Sequence, residues 1–240
     1  ISACLVGSEM CIRDRLYSDP DALKLIHETM EKIQWNLINE SCILAAELGP
    51  CSKFEETKYA QGLLPIDWYK KEVDKLVKPK YNMDWKGLRA RINEFGLRHS
   101  TLSAIMPCES SSVIQNSTNG IEPVRNLLSF KKAKNGILKQ VVPNYHTRKN
   151  YYTKAWELTS NKDIMNIAAV IQKFVDMSMS TNLYYNYSHY EDGNIPLSEL
   201  IKDQIYGYKL GLKNFYYANN PDGDGDTEKD MGCESGECAI

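Results

Sequence analysis

The sequence has 240 residues, of which 42% are hydrophobic and 25% are charged, and its net charge is −2 at neutral pH. This composition is ordinary for a folded globular chain and argues against disorder over most of the length. The small net charge argues against nucleic acid or an anionic membrane as a partner. The sequence has no run of about 18 apolar residues, so no membrane span is predicted.

The first 15 residues look unlike the rest of the chain. The string LVGSEMCIRDR at residues 5–15 resembles one reading frame of a transposase-type sequencing adapter. We therefore expect residues 1–15 to be an assembly artefact that, like a cloning scar, carries no information about the fold. A genuine N-terminal coil is the alternative, and sequencing the genomic locus separates the two.

Three helices are predicted in the first hundred residues. The first begins at the Asp19-Pro20 cap and ends at Gly49, because apolar residues recur between them at helical spacing. A second is predicted over residues 65–77. A third begins at Asp84 and ends at Gly96, with its apolar face formed by Trp85, Leu88, Ile92 and Phe95.

Short apolar runs and helices alternate in the rest of the chain. Residues 101–106 predict a buried strand that ends at Pro107, and Asn135-Gly136 predicts a hairpin within residues 124–142. Helices are predicted to start at residue 110 and to span residues 163–177 and 196–213, and residues 214–218 predict a strand. The predicted apolar side of the helix at 196–213 consists of Leu197, Leu200, Ile201, Ile205, Tyr208 and Leu212. This alternation predicts an α/β fold with parallel strand pairing.

Two local patterns allow both a chemical and a structural interpretation. Glu109, Ser110 and Ser111 follow Pro107 at a predicted helix start, where backbone amides can bind phosphate; an ordinary serine-rich cap is the alternative. Tyr216-Tyr217 lies in a predicted strand, where adjacent tyrosines are usually packing residues. Two further pairs have the same form, at residues 151–152 and 184–185.

The seven cysteines do not have the spacing of a secreted disulfide framework, which favours reduced thiols and a cytoplasmic location. Cys233 and Cys238 form a close pair in the polar, acidic segment that follows residue 218, and a disulfide can close across such a loop. Zinc is disfavoured because no second Cys or His pair lies nearby. A calcium loop is disfavoured because Thr227 stands where glycine is needed.

Three motifs resemble the large subunits of bacterial class I ribonucleotide reductases. They are GLRHSTLSAIMPCESSS at residues 96–112, TNGIEP at residues 118–123 and GCESGECAI at residues 232–240. The strings LLPID at residues 63–67 and FYY at residues 215–217 fit in the same order. Cys108 departs from the serine of the bacterial pattern, and its role stays open.

The resemblance implies that residues 16–218 are the C-terminal part of a ten-stranded α/β barrel and that residues 219–240 are a flexible redox tail. It implies that Glu109, Ser110 and Ser111 bind the substrate's phosphates. Tyr217 and then Tyr216 would pass an oxidising equivalent towards a radical cysteine. Cys233 and Cys238 would reduce the active-site disulfide after turnover. The family's radical cysteine and its substrate-reducing thiols fall outside the matched motifs, so the chain alone is expected to be inactive.

The same resemblance implies the substrate and the partners. The substrate would be a ribonucleoside diphosphate, and the partners a small (beta) subunit carrying a metal-radical cofactor, thioredoxin or glutaredoxin, and a second large subunit in a homodimer. No cofactor is expected on this chain, and the ATP and dNTP effector sites are expected outside it. The alternatives are one half of a split reductase, or a stand-alone thiol-redox or interaction module.

Overall fold

A computed structural model describes residues 16–221, except residues 115 and 134–135, with the backbone alone described at 109, 110, 113, 131–133 and 136–138. The helices are α1 (Pro20–Leu48), α2 (Pro65–Trp68), α3 (Trp85–Phe95), α4 (Glu109–Ile114), α5 (Tyr145–Arg148), α6 (Lys162–Gln172) and α7 (Leu197–Leu210). The strands are β1 (Leu128–Ala133), β2 (Gly136–Val141), β3 (Leu183–Tyr184) and β4 (Ala218–Asn219). Residues 1–15, predicted to be an artefact, lie outside the described part.

The predicted first and third helices are confirmed, together with the residues that begin and end them. The Asp19 carboxylate accepts from the Asp21 amide at 2.9 Å at the start of α1, and Gly49 ends that helix with φ +81°. The Asp84 carboxylate accepts from the Gly87 amide at 2.8 Å at the start of α3. Phe95, predicted to lie on the buried face of α3, is 39% exposed.

The predicted helix over residues 65–77 is wrong, because it divides at Tyr69. That residue adopts an extended backbone, and a 3-10 helix follows at Lys71–Lys75. The break lets the Tyr69 hydroxyl donate to Asp74 at 2.8 Å, and Asp74 also pairs with the buried ammonium of Lys173 at 3.3 Å. The long-range pair with Lys173 outweighs the local helical pattern, since a buried charge needs its partner.

The predicted strand at residues 101–106 is present only as an isolated parallel bridge from Ile105 to Met179. The Asp176 carboxylate, rather than a neighbouring strand, accepts from the amides of Leu102 at 2.8 Å and Ser103 at 2.9 Å. Met106, predicted to be buried, is 63% exposed. The predicted helix at residues 163–177 is shorter than predicted, since α6 ends at Gln172 and Asp176 lies beyond it.

Helix α7 forms within the predicted span but turns its other side inward. Its buried residues are Asp203, Gly207 and Leu210, whereas most of the predicted apolar side is exposed: Leu197, Ile201, Ile205 and Tyr208. Asp203 decides the orientation, because its carboxylate accepts from Asn161 and from Tyr185, each at 2.9 Å. A Cβ at Gly207 would stand 2.2 Å from the ring of Phe215, so this close contact requires glycine.

The strand pairing is mixed. The predicted hairpin is confirmed, with β1 and β2 antiparallel, and β3 pairs with β4 in parallel as the alternation predicts. The predicted strand at residues 214–218 is displaced, since β4 includes Asn219, the first residue of the predicted tail. The described residues form two two-stranded sheets and no closed barrel. Among them, no helix is long and apolar enough to span a membrane.

Stability should fall in mild acid because of a buried histidine on α1. His27 donates through Nε2 to the Lys80 carbonyl at 3.1 Å, and its buried Nδ1 has no hydrogen-bond partner among the described atoms. Burial first, and then the charge of Lys173, lower the pKa of His27 below its ordinary value of 6.5. The unfolded chain therefore binds a proton first as the pH falls below about 6.5.

The stability that the neutral ring contributes is present above that pH and is lost as the pH falls through the folded-state pKa. Urea unfolding from pH 7.5 to pH 5 measures this effect. A His27→Gln chain should lose this part of the pH dependence, and an unchanged slope would contradict the assignment to His27.

Candidate functional site

A cavity of about 420 Å³ lies where the segment after Pro107, the β1–β2 hairpin and the tyrosine segment (residues 214–219, which carry Tyr216 and Tyr217) meet. Among the side chains that line it are Ser112, Asn119, Arg125, Gln140, Tyr216 and Tyr217. This wall is rich in hydroxyl, amide and charged groups, which suits a polar ligand. Residues that are far apart in sequence are therefore brought to one site.

The two tyrosines stand side by side at this cavity. Their ring centroids are 4.3 Å apart with planes inclined at 60°, and the side chains are about half exposed. Their backbone is fixed by the neighbouring strand: the Tyr216 amide donates to the Thr181 carbonyl at 2.9 Å, and the Leu183 amide donates to the Tyr217 carbonyl at 2.8 Å. The arrangement is a contiguous aromatic pair at the wall of a polar cavity.

The two other tyrosine pairs differ from this one in their surroundings. Tyr151 is exposed, whereas Tyr152 is buried and donates to the Pro143 carbonyl at 2.7 Å. Tyr184 and Tyr185 are both buried and donate to carboxylates, those of Glu122 and Asp203. The interpretation of residues 184–185 as simple packing residues therefore omits two buried hydrogen bonds.

The predicted phosphate loop begins the short helix α4. The Cys108 amide donates to the Asn119 carbonyl at 2.7 Å, which ties the loop to the TNGIEP motif. The Ser111 amide donates to the Cys108 carbonyl at 2.9 Å, and the Ser111 side chain is exposed. The next residue, Ser112, is buried and lines the cavity. The Glu109–Ser111 loop thus leads directly into the cavity that the tyrosines line.

Sequence reasoning missed several side chains at the cavity. Glu122 lies within the TNGIEP motif, which was the signal available for it, whereas Arg125 and Asn182 carried none. Asn116 has φ +52° and donates from Nδ2 to the Val141 carbonyl at 2.7 Å, which ties the end of α4 to the hairpin. Asparagine tolerates this left-handed backbone better than most residues.

The cysteine pair at 233 and 238 lies outside the described residues, so its redox role stays a prediction. Cys42 is buried in the described part, and burial raises the pKa of its thiol. Cys51 and Cys108 are partly buried, and neither forms a disulfide with another described residue. No cluster of three or more His, Cys, Asp or Glu side chains that could hold a metal occurs in residues 16–221 as far as they are described.

A family model described as the ribonucleotide reductase barrel domain matches residues 9–218. The chain belongs to this family. The resemblance drawn from the motifs is therefore confirmed, and the short parallel pairings are consistent with part of a barrel.

Individual relatives agree with the family match. The chain is 48% identical over 226 residues to ribonucleoside-diphosphate reductase subunit alpha of Haemophilus influenzae and 46% identical over 231 residues to ribonucleoside-diphosphate reductase 1 subunit alpha of Escherichia coli. Each alignment covers 93% of this chain and 30% of the relative. The subunit alpha of Enterobacteria phage T4 is 44% identical over 213 residues, which cover 88% of this chain. The chain thus spans about 30% of the length of these relatives.

Proposed function

We propose that this chain works within the large subunit of a ribonucleoside-diphosphate reductase, which converts ribonucleoside diphosphates to deoxyribonucleoside diphosphates by radical chemistry for DNA synthesis. The observation that carries the proposal is the shared cavity: Tyr216 and Tyr217 line it together with Ser112, which directly follows the Glu109–Ser111 loop. The reaction is inferred from the identity to ribonucleoside-diphosphate reductase alpha subunits.

Each site has a part in this reaction. Backbone amides at Glu109 and Ser110, joined by the hydroxyl of Ser111, hold the diphosphate, because amides at a helix start attract anions without the cost of burying a cation. Tyr217 receives an oxidising equivalent and passes it to Tyr216, since two phenols in contact can exchange an electron while each releases or regains a proton. Cys233 and Cys238 carry reducing equivalents to the active site by thiol–disulfide exchange.

The roles of the tyrosine pair and the cysteine pair imply the partners. A small (beta) subunit with a metal-radical cofactor supplies the oxidising equivalent. Thioredoxin or glutaredoxin reduces the cysteine pair, and two large subunits form the dimer. We place the reaction in the cytoplasm, where thiols are kept reduced. No cofactor and no ATP or dNTP effector site is assigned to this chain.

A chimeric enzyme tests the proposal. Residues 16–240 replace the matching region of the Haemophilus influenzae subunit alpha, to which the chain is 48% identical. With that organism's small subunit and thioredoxin, the chimera should form deoxyribonucleoside diphosphate. The 240-residue chain alone should form none. A folded chimera that binds the small subunit but makes no product would contradict the proposed function.

The phosphate loop gives a prediction of its own in this chimera. Ser110→Pro should raise the KM for the substrate by at least about 10-fold, because proline removes an amide donor and a hydrogen bond to a charged group contributes about 1.5–3 kcal/mol. Proline is tolerated in the first turn of a helix, so α4 should survive. Position 111 is less informative, because its amide already donates to the Cys108 carbonyl.

Ser110→Ala is the matched control, since it keeps the amide and removes only the hydroxyl. Its KM should stay within about 3-fold of the parent value, which is the scale of one weak neutral hydrogen bond. Equal KM increases in the two variants would argue against binding by the main chain.

A further inference from the structure

Glu122 is a buried carboxylate at the cavity to which the proposed reaction assigns no part. Its side chain is 7% exposed and lines the same cavity as Tyr216 and Tyr217. Its Oε2 atom accepts from Asn182 Nδ2 at 3.0 Å and from the hydroxyl of Tyr184. A charge buried to this extent is stable only where it is hydrogen-bonded, and here one oxygen receives both donors.

The two donors are two residues apart on residues 181–185, the segment that pairs with the tyrosine segment. In an extended chain, residues two apart point to the same side, so Asn182 and Tyr184 both reach Glu122. Leu183 lies between them, and its amide donates to the Tyr217 carbonyl at 2.8 Å. Residues 182–184 are thus held to Glu122 by their side chains and to the tyrosine segment by their backbone.

Backbone hydrogen bonds between the same two segments continue on both sides of Leu183, forming a short ladder. Thr181 accepts from the Tyr216 amide at 2.9 Å, and the Tyr185 amide donates to the Asn219 carbonyl at 2.9 Å. Three consecutive backbone bonds therefore transmit the position of residues 181–185 to residues 216–219. A slip of this ladder by one residue would turn each side chain to the opposite face.

Tyr184 is well suited to be a permanent donor. Its amide donates to Asn161 Oδ1 at 2.8 Å, and the ring of Trp156 packs edge-on at 5.3 Å. Burial, followed by the neighbouring Glu122 charge, raises the pKa of Tyr184 well above its ordinary value, and Arg125 opposes this in part. The hydroxyl therefore keeps its proton at neutral pH.

We propose that Glu122 is a positioning residue for the tyrosine pair: through Asn182 and Tyr184 it fixes residues 181–185, whose backbone sets the contact between the Tyr216 and Tyr217 rings. The importance of that contact for catalysis rests on the proposed function, whereas the positioning itself is a property of the fold. Tyr184 then has a specific task, since its hydroxyl anchors this carboxylate.

Fluorine NMR of the 240-residue chain labelled with 3-fluorotyrosine tests the proposal. The resonances of Tyr216 and Tyr217 are assigned from their loss in the Tyr216→Phe and Tyr217→Phe chains. Glu122→Ala should shift or broaden both resonances, because the rings lose their fixed contact. Glu122→Gln should leave both close to their original positions, since the two bonds go to one oxygen and a glutamine carbonyl oxygen can accept both.

Two controls separate positioning from general loosening. The Tyr59 resonance reports on a buried phenol that donates to Asp176 at 2.9 Å, outside this network, and it should not move. Tyr152→Phe removes another buried phenol, one that donates to the Pro143 carbonyl at the cavity, and should leave Tyr216 and Tyr217 unchanged. Movement of Tyr216 and Tyr217 in Tyr152→Phe would mean that any buried change disturbs them, and would overturn the specific role of Glu122.

The other possible results of the Glu122→Ala experiment also test the positioning role. Unchanged Tyr216 and Tyr217 resonances in Glu122→Ala overturn the proposal. If Tyr59 moves as well, Glu122→Ala disturbs the fold beyond this network, and the milder Asn182→Ala and Tyr184→Phe chains replace it. Each should move the Tyr216 and Tyr217 resonances while Tyr59 stays. Unchanged Tyr216 and Tyr217 resonances in these chains overturn the proposal. Activity is a separate question: a chimera with Tyr217→Phe that stays active would refute the proposed relay and leave the positioning result intact.

Discussion

Replacing Tyr217 by phenylalanine in the chimeric enzyme should reduce product formation to the assay background. Phenylalanine keeps the ring and its 4.3 Å contact with Tyr216, so the fold and the cavity should persist. It has no hydroxyl proton to release, and its ring is far harder to oxidise than a phenol. An oxidising equivalent therefore stops at this position. Tyr216→Phe should have the same effect, because the two residues act in series.

The measurements for this prediction are product formation, small-subunit binding and thermal unfolding. Binding and unfolding temperature should match those of the parent chimera, since both tyrosines are about half exposed and a lost hydroxyl costs little there. Activity above one tenth of the parent value, with the fold intact, would mean that the pair only packs. A loss of activity accompanied by a lower unfolding temperature would also argue for packing.

The choice of control follows from the structure. The pair at 184–185 has the same form in the sequence, but both hydroxyls donate to buried carboxylates. Removing either would leave an acceptor short of a donor and could destabilise the chain for reasons unrelated to catalysis. Tyr151 is a better control because it is 51% exposed. Tyr151→Phe should retain nearly full activity.

Local signals predicted the parts of the fold that local chemistry determines. Helix caps at Asp19 and Asp84 and the hairpin around Asn135-Gly136 depend on residues close together in sequence, and these predictions hold. The orientation of α7 depends instead on Asp203, whose partners Asn161 and Tyr185 are 42 and 18 residues away. An apolar pattern alone therefore selected the wrong face as buried.

The residues of the candidate site also divide into those that local motifs predict and those that depend on distant partners. The serine loop and the tyrosine pair were predicted from motifs, and the cavity brings their neighbourhoods together. Glu122 lies within the TNGIEP motif, yet its task depends on Asn182 and Tyr184, 60 and 62 residues further along. No spacing rule connects such residues, because they meet only in the folded chain.

Serine at Cys233 or Cys238 in the chimera should stop repeated turnover when thioredoxin is the reductant. A single serine leaves no partner thiol, so the pair cannot form or pass on a disulfide. The proposed role needs the pair to reach both a protein reductant and the active site, and the sequence around it is polar and rich in glycine. One turnover per active site should still occur, because the reducing equivalents for the first cycle are already stored there.

The comparison of two reductants makes this test specific. A small dithiol such as dithiothreitol reaches the active-site disulfide directly, so it should support repeated turnover in both serine variants. Cys42→Ser is a matched control, since that thiol is buried on α1 and burial raises its pKa, which makes it a poor nucleophile. Cys42→Ser should turn over with either reductant. Failure of both reductants in the Cys233→Ser and Cys238→Ser enzymes would indicate a structural role for these cysteines. Full activity with thioredoxin would mean that reducing equivalents reach the active site by another path.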